Sequence, residues 1–174
     1  MDALVLIDLQ NWITRMPLSP RHGAEIAARC ATLAADSRAA GVPVWFVRYL
    51  DGLGPGADPA APRNRIVSGL EVRPDEPVVT KYGLGAFDGT PLAGRLRTAG
   101  VTHVVLAGIA LSHGVGVTAR EAAALGFRVT VLEDATTSLS AEGHRQAVQV
   151  LKGLVTVTSS ASWGVSQVEH ISEP

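Results

Sequence analysis

The sequence predicts an α/β fold, a parallel sheet with helices on both faces. Two observations carry this. Short apolar runs of strand length alternate with longer segments of helical periodicity along the chain. The strand-like runs are near-continuous aliphatics, as expected when both faces of a sheet are buried. Size agrees: 174 residues with 47% hydrophobic content suit one domain with a real core. No internal repeat or linker divides 1–174, so a single domain is expected.

Taken in order, residues 4–7 form the first strand. Residues 24–39 are Ala-rich with helical periodicity and stop before Gly41. Residues 42–47 form the second strand. Residues 51–64 carry Gly52, Gly54, Pro55, Gly56, Pro59 and Pro62 and read as a long loop. Residues 77–80 form a short third strand. Residues 90–99 form a helix, with Thr90 as cap, Pro91 in the first turn and Gly100 as stop. Residues 103–107 form the fourth strand, and residues 112–125 a helix closed by Gly126. Residues 127–132 form the fifth strand, 140–152 a helix capped by Ser140, and 154–158 the sixth strand, followed by a tail.

Composition excludes several classes. Net charge is -1 with acids and bases mixed, so no basic stripe points to nucleic acid. No run approaches the roughly 20 apolar residues that span a bilayer. The first apolar run is short and lacks a basic leader, so no signal peptide is expected and a cytoplasmic protein is. Cys30 is the only cysteine, which rules out an intramolecular disulfide and a cysteine-based zinc cluster.

In parallel sheets, ligands bind beyond the carboxyl ends of the strands. Three such ends carry chemistry. The first gives Asp8, Gln10 and Asn11; a carboxylate after four buried aliphatics is costly unless paired or used. The third gives Lys81, then Tyr82 to Phe87. If Lys81 converges with Asp8, the pair is buried and its titration perturbed. The fourth gives Gly108, Ile109, Ala110, Ser112, His113, Gly114 and Gly116. A helix starting there would aim free N–H groups at the cleft.

These segments together resemble the isochorismatase-like (cysteine hydrolase) family. Residues 4–11 resemble its opening strand with a catalytic Asp. Lys81 with Ala86, Phe87, Gly89, Thr90 and Leu92 resembles its catalytic Lys and the stretch after it. Gly108, Ile109, Ala110, Val115, Thr118 and Glu121 resemble its nucleophile loop and helix. Asp134 to Ser138 with His144 resembles a later segment. The match runs through residues 3–158 in order. The resemblance implies a Rossmann-like, three-layer α/β/α sandwich with a six-stranded parallel sheet. It also implies a cis peptide at Ile109–Ala110, and homo-oligomers.

The resemblance breaks at one point. Gly114 stands where most members have the nucleophilic cysteine, and a glycine cannot attack a carbonyl. Phenazine-pathway members are similar in having Gly there. They imply hydrolysis of a carboxylated vinyl ether: Asp8 protonates the enol carbon and water attacks the oxocarbenium ion, with no cofactor. On this reading Lys81 and Arg48 receive substrate carboxylates, Gln10 orients Asp8 or contacts substrate, and Tyr49 and Phe87 wall the pocket. Ile109, Ala110, Ser112 and His113 border it, and the loop of residues 51–64 sets specificity. Two alternatives stay open: a binding protein that has lost the chemistry, and an amidase with a substitute nucleophile such as Ser112. Family nicotinamidases carry a metal after strand two. That stretch here has no histidine, and His22, His103, His144 and His170 are scattered, so no metal is expected.

Overall fold

The computed structural model describes residues 1–52 and 54–164. Six parallel strands form one sheet: β1 (Asp2–Ile7), β2 (Val44–Tyr49), β3 (Val78–Lys81), β4 (His103–Ile109), β5 (Arg128–Thr137) and β6 (Thr156–Thr158). The spatial order is β3-β2-β1-β4-β5-β6. Helices cover both faces: α1 (Gly23–Ala39) and α5 (Ser160–Trp163) on one, α2 (Leu92–Thr98), α3 (Gly116–Ala124) and α4 (Ala141–Lys152) on the other. The expected three-layer α/β/α sandwich is therefore the observed one.

The layering follows from strand alternation. On β1, Ala3, Val5 and Ile7 pack with Leu92 and Leu96 of α2, Ala119 of α3 and Val148 of α4. Leu4 and Leu6 face the other way, onto Ile26, Cys30, Leu33 and Ala34 of α1. Those four lie at i, i+4, i+7 and i+8, one stripe of a helix. Truncating such a residue to alanine costs about 2–5 kcal/mol. Cys30 is a core residue, and burial pushes its thiol up to about 12. Ser140 caps α4 as expected, accepting from Gly143 N at 3.0 Å.

Several boundaries move. β2 starts at Val44, since Pro43 has no N–H for a ladder, and it continues through Tyr49. Residues 51–64 contain two short 3-10 turns, Gly54–Gly56 and Pro62–Asn64. β5 continues to Thr137, five residues past the expected end. Its polar residues find partners there. Asp134 accepts from Ser160 N and Oγ at 2.7 and 2.6 Å, and Thr137 donates to Arg21 O at 2.6 Å. Part of the expected tail is α5. The rest of it, from residue 165, lies outside the described residues, as does His170. No helix among the described residues is long and apolar enough to cross a membrane.

The strand order places the topological switch between β1 and β4. The chain leaves β1 toward β2 and β3, then returns to lay β4 on the other side. Loops diverge above the carboxyl ends of these two strands and open a crevice.

Candidate active site

Asp8 follows β1 directly and adopts a left-handed backbone, φ 57°. Among side-chain-bearing residues Asp tolerates this better than most, and such outliers collect at functional sites. The turn swings the carboxyl over the crevice. Beside it on β4, Gly108 has φ 124°, and a Cβ there would lie 2.1 Å from Ile7 O. Only glycine lets β4 run that close to the end of β1. The next peptide, Ile109–Ala110, is cis.

Lys81 ends β3, two strands away from Asp8, or roughly 10 Å across the sheet. Its long stem crosses past Tyr49 of β2, with Nζ 5.3 Å from the centre of the Tyr49 ring. Nζ then meets Asp8 Oδ2 at 2.9 Å. It also donates to Leu84 O at 2.9 Å and Gly83 O at 3.3 Å. An ammonium has three N–H groups, and these three contacts use them. Lys81 is 1% exposed, although lysines at strand ends are ordinarily solvated.

The two oxygens of Asp8 differ. Oδ2 holds Lys81, while Oδ1 is buried with no hydrogen-bond partner among the described residues. Burial raises the Asp8 carboxyl from its ordinary 3.8 to about 6, against the charge and hydrogen bond of Lys81, which pull it down. The result is an acid half protonated near pH 6.

Loop 83–87, which supplies the two carbonyls, is held by α3. Ala86 N donates to Thr118 Oγ1 at 3.0 Å, and Phe87 N to Glu121 Oε2 at 3.0 Å. Thr118 Oγ1 in turn donates to Gly114 O at 2.6 Å. The segment after β4 is thus tied to the lysine's loop.

Asp8, Lys81 and Gly114 share one open cavity of about 300 Å³. A Cβ built on Gly114 would lie 3.2 Å from Asp8 Oδ2 and 3.3 Å from Lys81 Nζ. Tyr49, Ile109, Ala110 and His113 also line it. The rest of the wall is apolar and was missed in the sequence: Trp12, Ile13, Met16 and Leu18 after β1, and Tyr82, Leu84 and Leu139 at the rim. One signal was present. Four apolar residues crowd into 12–18, a stretch with no place in the alternating elements.

Four expected contacts do not line the cavity. Arg48 neighbours Tyr49 on β2 and therefore points to the opposite face, where Nε donates to Thr80 Oγ1 at 2.9 Å. Its expected grip on a substrate carboxylate is corrected accordingly. Gln10 is fully buried, with its amide donating to Tyr49 O and Asn64 O and accepting from Tyr49 N. It ties loops together. Phe87 packs in the core against Phe127, ring centres 5.7 Å apart. Ser112 lies outside the wall, although its Oγ is 2.9 Å from His113 Nδ1. Adjacent side chains on a regular helix point apart, and this contact is possible because His113 leaves helical geometry (φ -133°, ψ -109°).

Two further expectations change. The helix after β4 does not start at Ser112. A wide turn, Leu111–Val115, comes first, and the N–H groups of His113 and Val115 both donate to Ala110 O. Ser112 N is taken by Ser138 Oγ at 3.1 Å. These three groups are not free for an oxyanion. Likewise, no described residue of 51–64 lines the cavity. That loop backs the wall: Trp12 N donates to Arg63 O, and the Arg63 guanidinium lies 5.1 Å from the Trp12 ring centre. Residues 48–52 offer Asp51 as their single carboxylate and no histidine, a donor set that does not fit a metal. Among the described residues no cluster of three His, Cys, Asp or Glu exists elsewhere.

A doubly wound parallel sheet with a buried acid–lysine pair at its switch point is the scaffold of a small-molecule α/β enzyme. The isochorismatase domain matches residues 2–162, and the chain belongs to the isochorismatase family, whose members are hydrolases. It is 35% identical over 159 residues to the uncharacterized isochorismatase family protein YecD of Escherichia coli O157:H7, covering 84% of this chain and 85% of that one. An isochorismatase family protein from Burkholderia thailandensis superposes with a TM-score of 0.84 at 37% identity, covering 92% of each chain. The ureidoacrylate amidohydrolase RutB of Methylobacterium radiotolerans is 29% identical over 182 residues, covering 83% of this chain and 70% of that one.

Proposed function

We propose that the chain hydrolyses a small vinyl (enol) ether without a covalent intermediate, with Asp8 as general acid. The observation that carries this reading is Gly114. The position whose Cβ would touch both Asp8 and Lys81 has no side chain, so a substrate's reacting carbon has room beside the acid. The only cysteine, Cys30, is buried in the core on α1.

The chemistry balances within these residues. The protonated Asp8 gives its proton to the terminal enol carbon, whose π electrons form the new C–H bond. An oxocarbenium ion results, and Lys81 stabilises the carboxylate left behind. Water adds to the cationic carbon and returns a proton to Asp8. The hemiketal collapses to a carbonyl compound and an alcohol. The raised Asp8 pKa supports this role, since a general acid works best near the operating pH. The test is release of the carbonyl product from vinyl ethers by the native chain and by Asp8→Asn. Product formed equally by both sinks the proposal.

The contact between Ser112 Oγ and His113 Nδ1 favours a second reading, amide hydrolysis with Ser112 as nucleophile, the bond class named for RutB. It predicts an acyl adduct on Ser112 with activated amides. An intact-protein mass unchanged by such reagents removes it. A chain that binds vinyl ethers and turns over none of them would be a binding protein.

A further inference from the structure

The cavity is poor in free cations, and this restricts its ligand. Among the described lining residues Lys81 alone is a permanent cation, and its three N–H groups are spent on Asp8, Leu84 O and Gly83 O. Arg48 turns to Thr80 on the other face of the sheet. His113 is exposed at the mouth, with Nδ1 against Ser112 Oγ. No arginine lines the wall. A carboxylate on the reacting carbon would lie beside Asp8, which repels it once ionised. It would also lose its water without gaining a free cation as partner. Ile13, Met16 and Ile109 add only apolar surface to the wall.

We infer that the ligand of this site is a neutral ether with a flat apolar body and no carboxylate on the ether carbon. This rests on the vinyl ether reading for its chemistry and departs from the carboxylated substrate expected from sequence. An enol ether of this class yields a neutral aldehyde or ketone in place of an α-keto acid. About 300 Å³ accommodates one ring with a short substituent. The aromatic walls Trp12 and Tyr49 suit its face.

Binding separates this inference from catalysis. Phenetole and 2-phenoxypropanoate differ only by a carboxylate on the ether carbon, and neither has an enol double bond to protonate. Calorimetric titration at pH 7 is expected to give phenetole at least a tenfold lower Kd. Equal or tighter binding of 2-phenoxypropanoate overturns the inference, as does the absence of saturable phenetole binding at millimolar concentration. Leu84 is 53% exposed at the rim and holds Lys81 only through its backbone carbonyl, so Leu84→Arg adds a cation without disturbing the pair. It is expected to move the preference about tenfold toward 2-phenoxypropanoate. An unchanged preference counts against cation scarcity as the cause. Phenyl vinyl ether and 2-phenoxyacrylate then test turnover. Preferred phenetole binding with no hydrolysis of phenyl vinyl ether defeats the catalytic reading and leaves the ligand class standing.

Discussion

Two acid–cation pairs sit in sheltered parts of this molecule, and they are built to opposite ends. Arg38 on α1 meets Glu76 before β3 with Nε to Oε1 at 2.7 Å and an Nη to Oε2 at 2.8 Å. Glu76 Oε2 also accepts from Arg73 N, and Arg38 donates further to Leu70 O and Glu71 O. Every oxygen is partnered. Burial alone would raise the Glu76 carboxyl, but the Arg38 and Arg73 hydrogen bonds outweigh it and hold the group below its ordinary range. Asp8 has the same kind of partner at a similar distance, yet Oδ1 has none and the carboxyl is raised to about 6. Pairing with a cation does not decide which way a buried acid titrates. The balance does: burial outweighs the single contact to Lys81 at Asp8, and the hydrogen bonds from Arg38 and Arg73 outweigh burial at Glu76. The satisfied pair fastens α1 to the edge of the sheet, and the unsatisfied one keeps a proton within reach of a cavity.

The sharpest way to break this contrast is the same amide swap at both acids. Asp8→Asn is expected to lower vinyl ether turnover by about 10²–10⁴-fold, the usual worth of a general acid. Glu76→Gln is expected to leave kcat within about threefold of native. Comparable losses in steady-state assays would mean that Asp8 acts through the fold. With native protein, kcat/KM is expected to fall about tenfold per pH unit above pH 6, where Asp8 loses its proton. A profile flat from pH 5 to 8 would remove Asp8 as the acid.

Stability should carry the opposite signs too. Between 3.8 and about 6 the folded chain keeps the Asp8 proton that the unfolded chain has released. Stability therefore falls as pH rises through that window, by roughly 3 kcal/mol in total. Glu76 behaves in reverse. Its lowered pKa stabilises the fold above its ordinary 4.5, and that support is lost as pH falls through its folded value. Urea midpoints taken from pH 3 to 7 check both: Asp8→Asn flattens the first trend and Glu76→Gln the second. Glu76→Gln also takes the counter-charge from a sheltered arginine and is expected to cost about 1–3 kcal/mol at pH 7.

How much of this was legible in sequence follows the same physics. The strands of the sheet centre were readable because burial on both faces demands aliphatic runs. Asp8 was readable because a carboxylate ending such a run needs a reason. The far half of β5 was not, because Asp134, Thr136 and Thr137 look like loop residues until their partners on α5 and near Arg21 are known. The burial of Lys81 depends on carbonyls of loop 83–87, and nothing in that glycine-rich stretch announces them. Arg48 could have been read. If Tyr49 and Lys81 face the cavity from adjacent strands, alternation along β2 turns Arg48 away.

Gly114→Ala is the mildest change within the cavity and probes the space between acid and substrate. The new methyl would stand 3.2 Å from Asp8 Oδ2, 3.2 Å from Leu84 O and 3.3 Å from Lys81 Nζ, tighter than ordinary contact. Neither the carbonyl nor the buried ion pair yields easily, and small shifts of both are the expected response. The substrate then loses about one methyl's volume beside the acid. KM is expected to rise several-fold and kcat to fall less than about tenfold, because no proton-carrying group has gone. Steady-state kinetics on one vinyl ether with native, Gly114→Ala and Asp8→Asn proteins makes the comparison. If the alanine variant loses as much kcat as Asp8→Asn with the Asp8 pH profile retained, then the geometry of the Asp8–Lys81 pair, and not free space at 114, sets the rate.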